Sequence, residues 1–253
     1  VTDLAIAAIG LIAGLMVGLT SIGGVLVLPG LVMVLGLSPH AAIPAAMVSF
    51  IPPAAMALLI VHRRGQLDLR AGAAVWLGAV PGAFAGAALL PWVPVAALLW
   101  AIAMMLAFSA ARVFVRPPVP GETGRSVPRR QLAAMGLFVG AISALTGTGG
   151  PITLMPILGW RGVEPRRAVM LCQTITLPIT IFASLGYTYG LDLDWRLVGG
   201  LSLSATLGVV LGIAIAPRIR VPALARIVVS IRRAPQVRRR ECFWSWRPSV
   251  QAG

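Results

Sequence analysis

Apolar stretches long enough to cross a bilayer follow one another along almost the whole chain, and this sets the fold class before any motif is considered. They run from Leu4 to Leu37, Ala41 to Val61, Ala71 to Leu90, Val93 to Val115, Leu132 to Trp160, Ala168 to Tyr187 and Leu197 to Ala216. A spanning helix needs about 20 such residues. Only 11% of the 253 residues are charged, against roughly 25% in soluble domains. The alternation of a membrane barrel is absent. The chain reads as an all-α, polytopic helical membrane protein whose surroundings are the lipid bilayer.

The formal net charge of +14 does not point to a nucleic-acid partner. The basic residues are all arginines, and they fall in loops between apolar runs and in the C-terminal stretch, where the positive-inside rule places them. Cys172 and Cys242 have no ligand spacing and imply no disulfide framework. No metal site, nucleotide-binding loop or other cofactor site is expected. No cleavable signal peptide is visible before the first apolar run.

A shift of 126 residues brings the chain onto itself. Gly10, Leu11 and Gly14 meet Gly136, Leu137 and Gly140; Leu19, Thr20, Gly23 and Gly24 meet Leu145, Thr146, Gly149 and Gly150. Pro39, Pro52, Asp68, Arg70 and Pro91 meet Pro165, Pro178, Asp194, Arg196 and Pro217. Proline, aspartate and arginine matching at one constant offset marks an internal repeat. The expected organisation is a first transmembrane repeat over 1–115, a cytoplasmic linker over 116–130, a second repeat over 131–229 and a basic tail over 230–253. In the second copy, Val221–Pro222 opens the equivalent of the span that runs from Val93 to Val115. After Ser230 that span gives way to six arginines. The first copy shows a helix there, so the last helix of copy two reads as lost, and the tail as non-native or disordered, from a shifted frame or truncation.

Loop charges orient the copies. His62–Arg70 and Trp160–Arg167 are basic, and Tyr189–Trp195 is acidic. Corresponding loops thus fall on opposite sides, as in two inverted repeats. The linker, with five arginines between Arg112 and Arg130, is cytoplasmic. This agrees with the span count if the first apolar segment of each copy enters and leaves on one side. The run Leu4–Leu37 is too long for one crossing and short for two. Each copy is then a broken, re-entrant hairpin followed by three transmembrane helices, with the N-terminus outside.

The hairpin tips are the two polar, glycine-bearing interruptions, "LTSIGG" and "LTGTGG". Glycine permits a turn and close backbone approach. Non-helical backbone at membrane depth is tolerated inside protein or beside a polar cavity. A half-helix starting after each turn offers unpaired amides and a positive dipole end, an anion site that needs no charged side chain. The candidate substrate-binding residues are Thr20, Ser21, Gly23 and Gly24 in copy one and Thr146, Gly147, Thr148, Gly149 and Gly150 in copy two. Ser49, Gln173 and Thr174 join them from the following segments. No catalytic residue is expected, since no intramembrane carboxylate or histidine accompanies Ser21. Gly14/Gly18, Gly78/Gly82/Gly86 and Gly208/Gly212 read instead as helix-packing positions. Pro52 and Pro178 read as kinks.

The stretches "GLMVGLTSIGGVLVLPGL" (Gly14–Leu31) and "GAISALTGTGGPITLMPIL" (Gly140–Leu158) resemble the sulfite exporter TauE/SafE family over about Leu4 to Arg226. The first glycine run is shorter than the family's usual triple glycine, and Pro151 replaces the third glycine in copy two. The resemblance implies a bacterial inner-membrane, multi-pass permease that exports small sulfur-containing anions such as sulfite or sulfonates. A metal-ion permease is the alternative; it calls for carboxylate, His, Cys or Met ligands at depth, where only scattered Met and Cys172 are found.

Overall fold

The computed structural model describes residues 2–21, 23–63, 65, 69–115, 127–163, 165–187 and 194–216. Most of the linker, the acidic loop at 188–193, the basic tail and the expected loss of the last helix lie outside the described residues. Among the described residues the structure is entirely helical: α1 (Thr2–Thr20), α2 (Gly24–Leu35), α3 (Pro39–Ser49), α4 (Ile51–Arg63), α5 (Leu69–Leu89), α6 (Val95–Val115), α7 (Arg129–Thr146), α8 (Pro151–Trp160), α9 (Pro165–Tyr187) and α10 (Trp195–Ile215). Among the described residues, five segments are long and apolar enough to cross a membrane: Asp3–Thr20, Pro39–Arg63, Arg70–Trp92, Arg167–Tyr187 and Trp195–Ile215. Large apolar side chains on their outer faces, such as Leu77, Leu203 and Leu207, are exposed, as a lipid-facing surface requires.

The element breaks recur at the sequence offset of 126. α1–α2 correspond to α7–α8, α3–α4 to α9, and α5 to α10. The same turn chemistry produces each break. α1 stops at Ser21 (φ 64°), whose amide bonds the Val17 carbonyl, and α7 stops at Gly147 (φ 69°), whose amide bonds the Ser143 carbonyl. Downstream, Gly36 (φ 68°) and Gly162 (φ 72°) occupy the same left-handed position beyond α2 and α8, the usual way a helix ends on glycine. Ser38 and Pro39 then restart the chain as α3, with proline at the first turn.

The chain accommodates the prolines differently in the two copies. The segment Ala41–Val61 is two helices, broken at Phe50 just before Pro52 and Pro53, whereas α9 continues through Pro178. A proline leaves the carbonyl four residues earlier without its helical donor. Thr174 is that residue for Pro178, and the Trp76 indole donates to its carbonyl at 2.9 Å. Ser49 is that residue for Pro53, and the Ser202 hydroxyl donates to its carbonyl at 3.1 Å. Trp76 and Ser202 are themselves 126 residues apart, so each copy mends the other's proline defect.

The packing glycines knit the copies together in the same reciprocal way. A Cβ on Gly78, Gly82 or Gly86 of α5 would strike the backbone of Ala133, Leu137 or Ala141 of α7. On Gly14 or Gly18 of α1 it would strike Ala205 or Val209 of α10, and on Gly208 or Gly212 it would strike Leu11 or Leu15. Both partners' numbers rise together, so α5 runs parallel to α7 and α1 parallel to α10. Within copy one the order reverses: Gly23 meets Ala13 and Val17, and Gly30 meets Ile9, so α2 folds back antiparallel on α1. The buried centre is made by α3 and α9, with Ile43, Met47, Ile175 and Ile179 fully enclosed.

Candidate functional site

The two tips meet. Gly24, at the start of α2, faces the Thr148 carbonyl, and a Cβ at Gly24 would lie 2.7 Å from that oxygen, closer than a real Cβ contact allows. Around this junction lies a cavity of about 10 Å³, room for about one water. Ser21, Gly24, Gly147, Thr148 and Gly149 line it from the tips. Met47 and Phe50 at the end of α3, and Thr176 of α9, line it from the centre.

Tip one carries an unpaired donor. Ser21 is 2% exposed, and its hydroxyl has no hydrogen-bond partner among the described residues. It also holds φ of 64° without being glycine, a conformation costing an L-residue roughly 1–2 kcal/mol. A buried hydroxyl left unpaired on a strained residue, facing a cavity, is an arrangement that a ligand would complete. Gly23 precedes α2 as its N-cap and lies against the carbonyl of Ala13 and the side chain of Val17. Gln173 Nε2 donates to the Val17 carbonyl at 3.3 Å, the same oxygen that receives the Ser21 amide at 2.8 Å. Gln173 therefore clamps the last turn of α1 and does not line the cavity.

Tip two carries a chain of hydroxyls. Thr146 Oγ1 donates to the Ile142 carbonyl at 2.8 Å and lies 3.0 Å from Thr148 Oγ1. With the Thr146 proton committed to Ile142, the Thr148 hydroxyl is the donor between them. Thr153 Oγ1, one turn into α8, donates to the Met105 thioether of α6 at 2.9 Å, and Thr148 lies 3.9 Å from the same sulfur. The edge-to-face contact of Phe108 with Trp160, 4.5 Å between centroids, holds α6 across α8. Gly149 (φ 74°) and Gly150 (φ 105°) complete the turn; Gly150 packs against Ile179 and Ile175 and lies outside the lining. Pro151 begins α8 and lines the cavity. It has no amide hydrogen, so α8 lacks at its first residue the backbone donor that its counterpart Val25 carries in α2.

Thr20, Ser49 and Thr174, like Gly23, Thr146, Gly150 and Gln173, are not among the residues that line the cavity. Thr20 is exposed and bonds back to the Met16 carbonyl at 2.9 Å. The Ser49 hydroxyl donates to Ala45 at 2.6 Å and lies 3.3 Å from the Val198 carbonyl. The Thr174 hydroxyl bonds to Leu171 at 2.8 Å. Thr176, Met47 and Phe50 take the inner wall instead. Thr176 and Phe50 are 126 residues apart, as are Gln173 and Met47, so the repeat could have nominated all four together. Met105 had no such signal, because its counterpart at the same offset is the apolar Ile231.

A family profile described as Sulfite exporter TauE/SafE matches residues 6–231. The chain belongs to this family. It is therefore a multi-pass membrane transporter, and the paired tips lie inside the matched region. Among the described residues of this TauE/SafE transporter, no three His, Cys, Asp or Glu side chains are grouped to hold a metal ion. Searches of curated proteins and of solved structures found no match.

Proposed function

We propose that this TauE/SafE transporter carries small sulfur-containing anions such as sulfite out of a bacterial cell across the inner membrane, binding the anion between the two tips. The observation that carries the reading is the buried, unpartnered Ser21 hydroxyl beside the junction of Gly24 with Thr148. A strongly hydrated anion entering a low-dielectric interior must exchange its waters for fixed donors. The Ser21 hydroxyl and the first amides of α2 are donors of that kind.

The two copies are inverted in this proposal, each hairpin returning to the side it entered. Support comes from helix direction. α2 runs back along α1, and consecutive segments alternate, so α5 points opposite to α1. α7 is parallel to α5 and hence opposite to α1. The short arms agree in scale: α2 has 12 residues and α8 has 10, about 18 and 15 Å at ~1.5 Å per residue, near half of a ~30 Å hydrocarbon core.

A cavity sized for one water does not admit a sulfite ion, so passage requires the tips to part, as in transporters that alternate access around a midplane site. The test is flux into and out of proteoliposomes with sulfite, thiosulfate, sulfate and a divalent metal ion offered separately. Sulfite flux lost in Gly149→Val, with the protein still inserted, is expected. Metal flux without sulfite flux would reverse the substrate assignment.

A further inference from the structure

A second cavity, much larger than the one at the tips, is lined by three arginines. It measures about 250 Å³ against about 10 Å³. Arg70 stands at the start of α5, Arg129 at the start of α7 and Arg167 near the start of α9. Three helix N-termini, each with a positive dipole end, therefore open on one chamber together with three guanidinium groups that stay charged at any physiological pH. Leu132, Val163 and Leu171 form its apolar wall, lowering the local dielectric and sharpening the field.

We propose that this chamber is a separate oxyanion-binding site, the loading vestibule from which an anion passes to the tips. The inference rests on the proposed transport role for its direction, and on the chamber alone for its binding. Two observations place it on the route. Leu171 lines the vestibule and Thr176 lines the tip cavity; both are on α9, about 7.5 Å apart along the axis at ~1.5 Å per residue. Arg129 lies at the end of the arginine-rich linker, so positive-inside orientation puts the vestibule on the cytoplasmic face, where an exported anion is collected. The fork of a guanidinium matches the oxygens of sulfite, sulfonate or phosphate. The occupant is thus an oxyanion, either free in the cytoplasm or carried on the headgroup of an anionic lipid.

The experiment uses the full-length chain and two readouts. In proteoliposomes, Arg70→Gln/Arg129→Gln is expected to raise the KM for sulfite efflux about tenfold, the scale of electrostatic enrichment in a charged cleft. Vmax should stay unchanged and the salt dependence of KM should flatten. Arg70→Lys/Arg129→Lys should recover most of the loss, which a merely misfolded variant would not do. Equilibrium binding of sulfite to purified protein is the second readout: the Gln pair should lose a site that Gly149→Val keeps. This separates the two ideas, because absent sulfite flux in every form overturns the transport reading while vestibule binding is still measured. In nanodiscs, a phosphatidylglycerol bilayer that weakens sulfite binding in the wild type but not in the Gln pair assigns the site to a lipid headgroup. Equal binding in both lipids, lost in the Gln pair, assigns it to the free anion. Unchanged KM, salt response and sulfite binding in the Gln pair overturn the vestibule.

Discussion

Gly24 and Thr148 touch backbone to backbone: the place where a Gly24 side chain would begin is 2.7 Å from the Thr148 carbonyl oxygen. This contact joins the hairpin of one copy to the hairpin of the other at the edge of the cavity. Gly24→Val is expected to wedge the tips apart and abolish sulfite transport while the protein still inserts and purifies. Gly24→Ala, with one methyl group, should retain partial activity. Full activity in Gly24→Val, measured in proteoliposomes, would show that the junction is not on the route.

Ser21 allows stability and function to be read separately. Its hydroxyl makes no bond among the described residues and its backbone is left-handed. Ser21→Gly relieves the backbone strain and should stabilise the fold by about 1 kcal/mol. Ser21→Ala keeps the strain, removes an unpaired buried donor and should leave stability unchanged or slightly higher. Both variants should nonetheless bind sulfite more weakly, because the donor is gone. Thermal melts alongside sulfite-binding isotherms test this. Wild-type affinity in both variants would remove Ser21 from the site.

Packing positions should behave in the opposite way. Gly82→Val would drive a side chain into the Leu137 backbone, and Gly208→Val into that of Leu11, so each is expected to cut yield and Tm. Trp76→Phe leaves the Thr174 carbonyl without the donor that Pro178 denies it. That should cost about 1–3 kcal/mol, the penalty of an unsatisfied buried acceptor. Sulfite affinity per folded molecule should hold in the folded fraction of all three.

Much of the fold was legible because composition and the repeat act locally. Apolar length gave the helices, and the glycines at 36, 147 and 162 stop helices for the same steric reason that makes glycine readable at such positions. The tips were legible for their polarity, and Ser21, Gly24, Gly147, Thr148 and Gly149 do line one cavity. What could not be read was rotation about each helix axis. Thr174 and Thr176 are two residues apart on α9, so they point some 200° apart, and only the second faces the cavity. Ser49 and Gln173 look like ligand donors in a list of polar residues, yet both donate to backbone carbonyls, Ser49 to Ala45 one turn back and Gln173 to Val17, 156 positions away in sequence. The proline defects at 53 and 178 announce that a donor is needed, and only tertiary packing shows that Ser202 and Trp76 supply it.

The proposed inversion is open to labelling. With Cys172 buried and Cys242 replaced by serine, Gly121→Cys should react with an impermeant maleimide only from the cytoplasm. Gly190→Cys should react only from outside. The two positions reacting from the same side would require parallel copies and would break the hairpin topology.

The driving force for transport gives the last prediction. Among the described residues, the acidic side chains Asp3 and Asp194 lie at helix starts, and none sits beside the tip cavity as a proton relay would. An anion leaving a cell with a negative interior gains about 2.3 kcal/mol per charge per 100 mV, so export needs no coupled ion, whereas uptake against that field would. The vestibule arginines fit this direction, since they gather anions on the face the linker marks as cytoplasmic. Proteoliposomes are loaded with sulfite, the potential is set with a potassium gradient and valinomycin, and efflux is followed at equal pH on both sides. Efflux should rise as the interior is made more negative and should persist without proton or sodium gradients. A strict requirement for either gradient, with no response to potential, would show that the carrier is coupled and that the field alone does not drive it.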